Sequence, residues 1–158
     1  MGGEISWDCM GNGKYIFRLQ VYRDCNGGAL DSSAILNIYD YPAIASVSTI
    51  SVRLKSTKDL SPLQCGIICA GATGSTAGAM EEFVFVSDSV SLNGVPPASG
   101  WIFTYENNFR NAVIDNLESP GNRGLTIRSI MYPYKNKDGD PCYDSSPSFL
   151  EAPPGLIC

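Results

Sequence analysis

The chain contains no histidine. That absence removes Ser-His-Asp and Cys-His mechanisms and the commonest zinc and iron ligand. Charge is also sparse, at 17% of residues, and it leans negative, with a net charge of -5 and a pI near 4.6. An acidic chain lacks the basic face that nucleic acids require, and anionic lipid surfaces do not attract it. No apolar run approaches the ~20 residues that span a bilayer, so membrane insertion is not expected. The longest runs, such as Phe83 to Val86, are strand-sized. No CxxC pair occurs. Met1-Gly2-Gly3-Glu4 opens the sequence without an apolar signal region. If the protein is exported, its signal is expected to have been removed before this sequence begins.

What is present suffices for one domain with a core. The 158 residues are 44% apolar, which marks a globular rather than a disordered chain. Six cysteines, Cys9, Cys25, Cys65, Cys69, Cys142 and Cys158, lie at wide spacing. An even number without a metal-type double pair predicts disulfides and an oxidising, extracellular compartment. Zinc is the competing reading, but Cys65 and Cys69 have no second close pair to complete a tetrahedral site.

The patterning is that of strands. In "KYIFRLQVYRDCNGG", residues 14 to 28, Tyr15, Phe17, Leu19 and Val21 point one way while Lys14, Arg18 and Gln20 point the other. A strand over Glu4 to Met10 precedes it, and Gly11-Asn12-Gly13 between them is a turn signal. Further strands are expected over Ala34 to Tyr39, Val47 to Lys55, Glu82 to Val86, Trp101 to Tyr105 and Leu125 to Tyr132. Residues 56 to 80, with "CAGATGSTAGAM", read as a long loop. Asn108 to Leu117 is the one helical candidate, weakened by its Asn and Asp content. The tail from Ser145 to Cys158, with Pro147, Pro153 and Pro154, is expected to be extended and pinned. Short strands separated by turn signals predict an all-β fold, an antiparallel β-sandwich of Ig-like or jelly-roll-like kind with long loops and disulfides.

The hairpin constrains the sulfurs. With Asn12 at its centre, Cys9 lies opposite Tyr15, and Cys25 lies far down the second strand. At ~3.4 Å per residue the two sulfurs stand tens of ångströms apart, whereas a bridge needs Cα atoms within ~7 Å. Cys9 and Cys25 therefore do not pair with each other. The remaining pairings stay open.

Candidate chemistry is thin. "KNKDGDPCYD" gathers Asn136, Asp138, Asp140 and Asp144, the oxygen donors calcium favours. The EF-hand template fails there, because Tyr134 takes the first ligand position and Ser145 that of the closing glutamate. A hairpin turn with Asp-Gly at its tip is the preferred reading, and no cofactor is expected. Eight Tyr, six Phe and two Trp supply aromatic surface. Trp7, Trp101, Tyr105 and Tyr22 are candidates for a glycan platform; core packing is the preferred reading for Trp7 and Trp101. Tyr22 faces away from the Tyr15–Val21 stripe and is the better surface candidate. Asp24, Asp31, Glu81 and Glu82 are the carboxylates a glycosidase would need. Nothing in the sequence positions them as a pair, and adjacent Glu81 and Glu82 point to opposite faces of a strand. Enzymatic activity is not expected. Arg23 and Asp24 are read as a structural ion pair or cap.

"GGEISWDCMGNGKYIFRLQVYRDCNG" resembles the opening module of large secreted surface proteins of Bacteroidota, the gliding-motility and adhesin-like proteins with PKD- or Ig-like repeats and a C-terminal sorting domain. Gly2, Gly3, Glu4, Trp7, Cys9, Tyr15, Tyr22, Arg23, Asp24 and Cys25 fit that pattern. "WIFTYENNFRN" fits a strand ending in Arg110-Asn111, and "CYDSSPSFLEAPPGLIC" fits the closing segment. Asn108-Phe109 stands where the family often has a Cys-Cys pair, so a disulfide scheme using that pair does not carry over. The resemblance implies an N-terminal module of a longer cell-surface protein, adhesive or structural, without assigned chemistry. Its partners would be other domains of the same chain, surface glycans or other surface proteins. Cys158, directly after the proline-rich close, suits a boundary before further domains. Asp88-Ser89-Val90 matches the phylum's O-glycosylation signal.

Overall fold

Alternation writes the longest strand. In β2 (Lys14–Asp24), Tyr15, Phe17, Leu19, Val21 and Arg23 are buried, while the residues between them face outward. β1 (Gly2–Cys9) pairs with it antiparallel, in the register that sets Cys9 opposite Tyr15. The turn works because Gly11, Asn12 and Gly13 all take positive φ, at 88°, 54° and 70°. This computed structural model describes residues 2–41, 47–70, 74–108, 116, 118–133 and 146.

Among the described residues six more strands follow: β3 (Ser33–Tyr39), β4 (Thr49–Asp59), β5 (Met80–Ser87), β6 (Val90–Ser91), β7 (Trp101–Asn107) and β8 (Leu125–Met131). All pair antiparallel in one sheet, ordered β1-β2-β5-β4-β3-β7-β8, with the short β6 beside β2. The expected all-β antiparallel architecture is borne out, and both faces of its core come from one sheet curled on itself. The curl brings β8 back toward β1. A Cβ built on Gly3 would stand 2.6 Å from Ile127 Cδ1 of β8 and 2.2 Å from the Gln20 carbonyl oxygen. On its edge away from β2, Trp7 donates its N–H to Ser146 Oγ at 2.8 Å and accepts from the Ser146 N–H at 3.0 Å.

Aromatic side chains fill the curl. Phe17 of β2 meets Phe103 of β7 with ring centroids 4.7 Å apart, and Trp7 lies 5.8 Å from Phe103. Trp101, Tyr15, Phe17 and Phe103 are fully buried with Leu19, Leu36, Ile50 and Val52. Each such side chain contributes ~1.5–3 kcal/mol through burial.

Two sequence expectations change, and the strand order is new. β4 runs on to Asp59 where a loop was expected from residue 56, because a bulge between Leu54 and Ser56 absorbs the change of register and Thr57 still pairs with Phe83. Val47 and Ser48 lie before the strand rather than in it. β5 inserts between β2 and β4, which chain order does not announce. The helical candidate falls outside the described residues except for Asn108 and Asn116, and so does the tail except for Ser146.

Candidate functional site: a split in the sheet wall

β3 and β7 pair over only three positions, Asn37–Thr104, Ile38–Phe103 and Tyr39–Ile102. Continued in register, the ladder would join Leu36 to Tyr105, Ile35 to Glu106, Ala34 to Asn107 and Ser33 to Asn108. None of these pairs forms. The two strands splay instead, and a cleft of about 590 Å³ opens between them. Ser33, Ala34 and Ile35 form one wall, and Tyr105, Glu106 and Asn107 the other. The loop residues Ala29, Leu30 and Asp31 close one end. The floor reaches the core at Phe85, which is 2% exposed.

The direction of the open backbone follows from hydrogen bonds on the far side of β3. Ile38 donates its N–H to the Ser48 carbonyl at 2.9 Å, and Leu54 donates to the Ser32 carbonyl at 2.8 Å. Even-numbered residues of this strand thus turn their main-chain groups toward β4. By alternation, Ser33 and Ile35 turn theirs into the cleft. Their side chains point outward, and Ile35 stays 53% exposed. The rim is acidic. Asp31 and Glu106 line it, and among the described residues no lysine or arginine does. Glu106 Oε1 accepts hydrogen bonds from Thr104 Oγ1 at 3.0 Å and Tyr39 Oη at 3.3 Å. On the inner side, Asn107 Nδ2 donates to Tyr105 Oη at 3.0 Å.

The loop that closes the cleft is tied down at its start. Cys25, fully buried, is disulfide-bonded to Cys69, with Cα atoms 5.6 Å apart. Its N–H also donates to the Ala79 carbonyl at 3.0 Å. Arg23 extends the inward stripe of β2 and is 8% exposed. Its guanidinium pairs with Glu81, lies 5.0 Å from the Phe83 ring centroid, and donates to the carbonyl oxygens of Gly27 and Gly28. Asp24 Oδ1 accepts the Asn26 N–H at 2.8 Å and so caps the corner.

The sequence candidates fall as follows. Cys9 and Cys25 do not pair with each other; Cys25 takes Cys69, and Cys9 and Cys65 are also disulfide-bonded. Cys142 and Cys158 lie outside the described residues, as do the calcium candidates Asn136, Asp138, Asp140 and Asp144. The expected structural ion pair at Arg23 exists, with Glu81 rather than Asp24 as the carboxylate, while Asp24 serves as the cap. Glu81 and Glu82 do face opposite ways, Glu81 inward to Arg23 and Glu82 outward to Gln20 Nε2 at 2.9 Å. Trp101 is fully buried, Trp7 is 6% exposed and Tyr105 is 8% exposed. Trp7 and Trp101 pack in the core, while Tyr105 also reaches the cleft wall. Tyr22 stands on the outer face between Gly2 and Glu82. Its pKa is raised above 10.0, first by partial burial and then by the charges of Glu82 and Glu4. Of the other two carboxylates, Asp31 lines the cleft and Asp24 caps the corner at Asn26.

Sulfur and carboxylate come together once more at Cys25, Asp59 and Cys69, whose ligand atoms lie within 4.8 Å of one another. Two of the three are consumed by the disulfide, so the group offers no thiolates to a metal. Sequence reasoning missed the cleft and the Arg23–Glu81 pair. The signal for Arg23 was its place at the end of an apolar alternation. No family model, curated protein or solved structure matches the chain.

Proposed function

We propose that the chain is a non-catalytic extracellular module, structural or adhesive, of a bacterial surface protein. The observation that carries this reading is the state of the sulfurs: Cys9, Cys25, Cys65 and Cys69 are all disulfide-bonded. Persistent disulfides belong to oxidising compartments. The Cys25–Cys69 link joins the end of β2 to the β4–β5 connection across 44 positions, which is how a covalent tie resists unfolding and proteolysis outside a cell. The resemblance of the opening hairpin to Bacteroidota surface modules points the same way.

Surface labelling tests it. An antibody raised against the domain should stain intact cells of the source organism, and cells lacking the domain should attach less. Staining only after lysis, together with six reactive thiols on the isolated protein, would overturn the reading.

Glycan binding is the second reading, and Tyr22 carries it. The space beside it is open, since a Cβ built on Gly2, its cross-strand neighbour, meets nothing within 4 Å. Glycan-array signal that disappears in Tyr22→Ala supports that reading, and an array without signal removes it.

A further inference from the structure

We propose that the β3–β7 cleft docks an extended segment of a partner protein, alternating apolar and basic residues, by strand addition to β3. The proposal rests on the adhesive reading above and names the kind of partner it engages.

The ladder between β3 and β7 stops at Asn37–Thr104. Seven of the eight residues that would continue the β3–β7 pairing line the cleft, all but Leu36. The main-chain groups of Ser33 and Ile35 turn into it, two residues apart, so they repeat at ~6.7 Å along the strand. An extended peptide presents its own N–H and C=O groups at that same repeat, and this matching is what strand addition uses. A strand running antiparallel to β3 places one residue opposite Ser33 and another opposite Ile35. Cross-strand partners share a face, so these two side chains point outward, toward the rim that carries Asp31 and Glu106. The residue between them, opposite Ala34, points inward to the floor at Phe85. The outward residues are therefore lysine or arginine and the inward one apolar. The volume of about 590 Å³ lies within the ~300–1,000 Å³ of ligand sites. A saccharide could meet the polar rim, but it has no amide repeat to satisfy Ser33 and Ile35.

The test uses oxidised protein and the labelled heptapeptide Lys-Val-Lys-Val-Lys-Val-Lys in fluorescence anisotropy. In the pairing above, the lysine N–H groups bond to β3 and the valine N–H groups do not. N-methylation of the lysines should weaken binding at least tenfold with all charge retained, whereas N-methylation of the valines should be tolerated. The Glu-Val counterpart should not bind. The double variant D31N/E106Q should bind the Lys-Val peptide at least fivefold more weakly, and bound peptide should slow hydrogen exchange at the Ile35 amide. Equal binding of the N-methyl-lysine peptide would show charge attraction alone and overturn the proposal. So would no binding at millimolar peptide, glycan-array ligands that protect the Ile35 amide instead, or self-association of the domain through this cleft. None of these results touches the surface-labelling experiment, so the two readings fail separately.

Discussion

Replacing Cys25 and Cys69 together with alanine removes the tie between the end of β2 and the β4–β5 connection while leaving Cys9 and Cys65 bonded. The loop between the two sulfurs spans 44 positions. In the chain-entropy treatment, cross-linking such a loop takes ~13 cal/mol/K from the unfolded ensemble, about 4 kcal/mol at 25 °C. Other cross-links already restrict that ensemble, so this figure is an upper bound on the entropic part. The native state loses a buried sulfur at Cys25, which adds about 1 kcal/mol by analogy with deleting one buried methyl-sized group. The Cys25 N–H keeps its bond to the Ala79 carbonyl, because the substitution leaves the main chain in place. The expected loss is therefore roughly 2–5 kcal/mol, a large share of the ~5–15 kcal/mol typical of a domain. Urea denaturation measures it, and the m-value should rise because the unfolded chain expands and exposes more surface. A loss below ~1 kcal/mol with an unchanged m-value would mean that the Cys25–Cys69 tie does not restrict the unfolded chain.

The Arg23–Glu81 pair is largely shielded from solvent, with side chains 10% and 17% exposed. Arg23→Met should cost roughly 3 kcal/mol by stranding the Glu81 carboxylate, and R23M/E81L should recover part of that loss; a double-mutant cycle showing simple additivity would contradict the coupling. Gly3→Ala should cost at least ~1 kcal/mol, because the new Cβ meets the Gln20 carbonyl oxygen at 2.2 Å and backbone cannot step aside cheaply. Gly2→Ala, with open space around it, should stay within ~0.5 kcal/mol in the same thermal melts. Tyr22 has its pKa raised in the fold above the unfolded value of 10.0. Unfolded chains release that proton first, so stability should fall as pH rises from about 10 through the folded pKa. Tyr22→Phe should flatten that fall in denaturant titrations, and an unchanged slope would show that the tyrosine is not its source.

Local pattern reached far into this fold wherever one strand meets its sequence neighbour. The alternation from Tyr15 to Val21 named the buried face of β2, and a turn centred on Asn12 gave the Cys9–Tyr15 register. From that register alone, a Cys9–Cys25 bridge was excluded. The strand expected over Trp101 to Tyr105 also formed, and its Trp101, Phe103 and Tyr105 lie in the core. What stayed hidden involves pairing across long sequence distance. Glu81 meets Arg23 from 58 positions away, only because β5 lies between β2 and β4. The polar end of β4, Ser56 to Asp59, reads as a loop by composition, yet pairing with β5 holds it in the sheet. The cleft is hidden for a different reason: it is a place where pairing stops, and nothing in the residues of β3 or β7 marks that.

The two features that sequence reading missed are linked by one stretch of chain, the connection from Arg23 to the cleft residues Ala29, Leu30 and Asp31, and this suggests how they work together. The segment from Cys25 to Asp31 leaves the end of β2 and delivers Ala29, Leu30 and Asp31 to the cleft. A connection of this length would ordinarily be mobile, and a mobile wall must be ordered when a partner docks, at ~1–2 kcal/mol for each residue's backbone. Here the disulfide fixes its first residue, Asp24 caps the corner, and the Arg23 guanidinium holds the carbonyls of Gly27 and Gly28. Glu81 in turn holds the guanidinium. The buried charge pair is thus poorly explained as a source of stability, since pairs of that kind offset their own desolvation at best. It is better explained as a device that presets the loop, so that less ordering remains to be done when a strand enters the cleft.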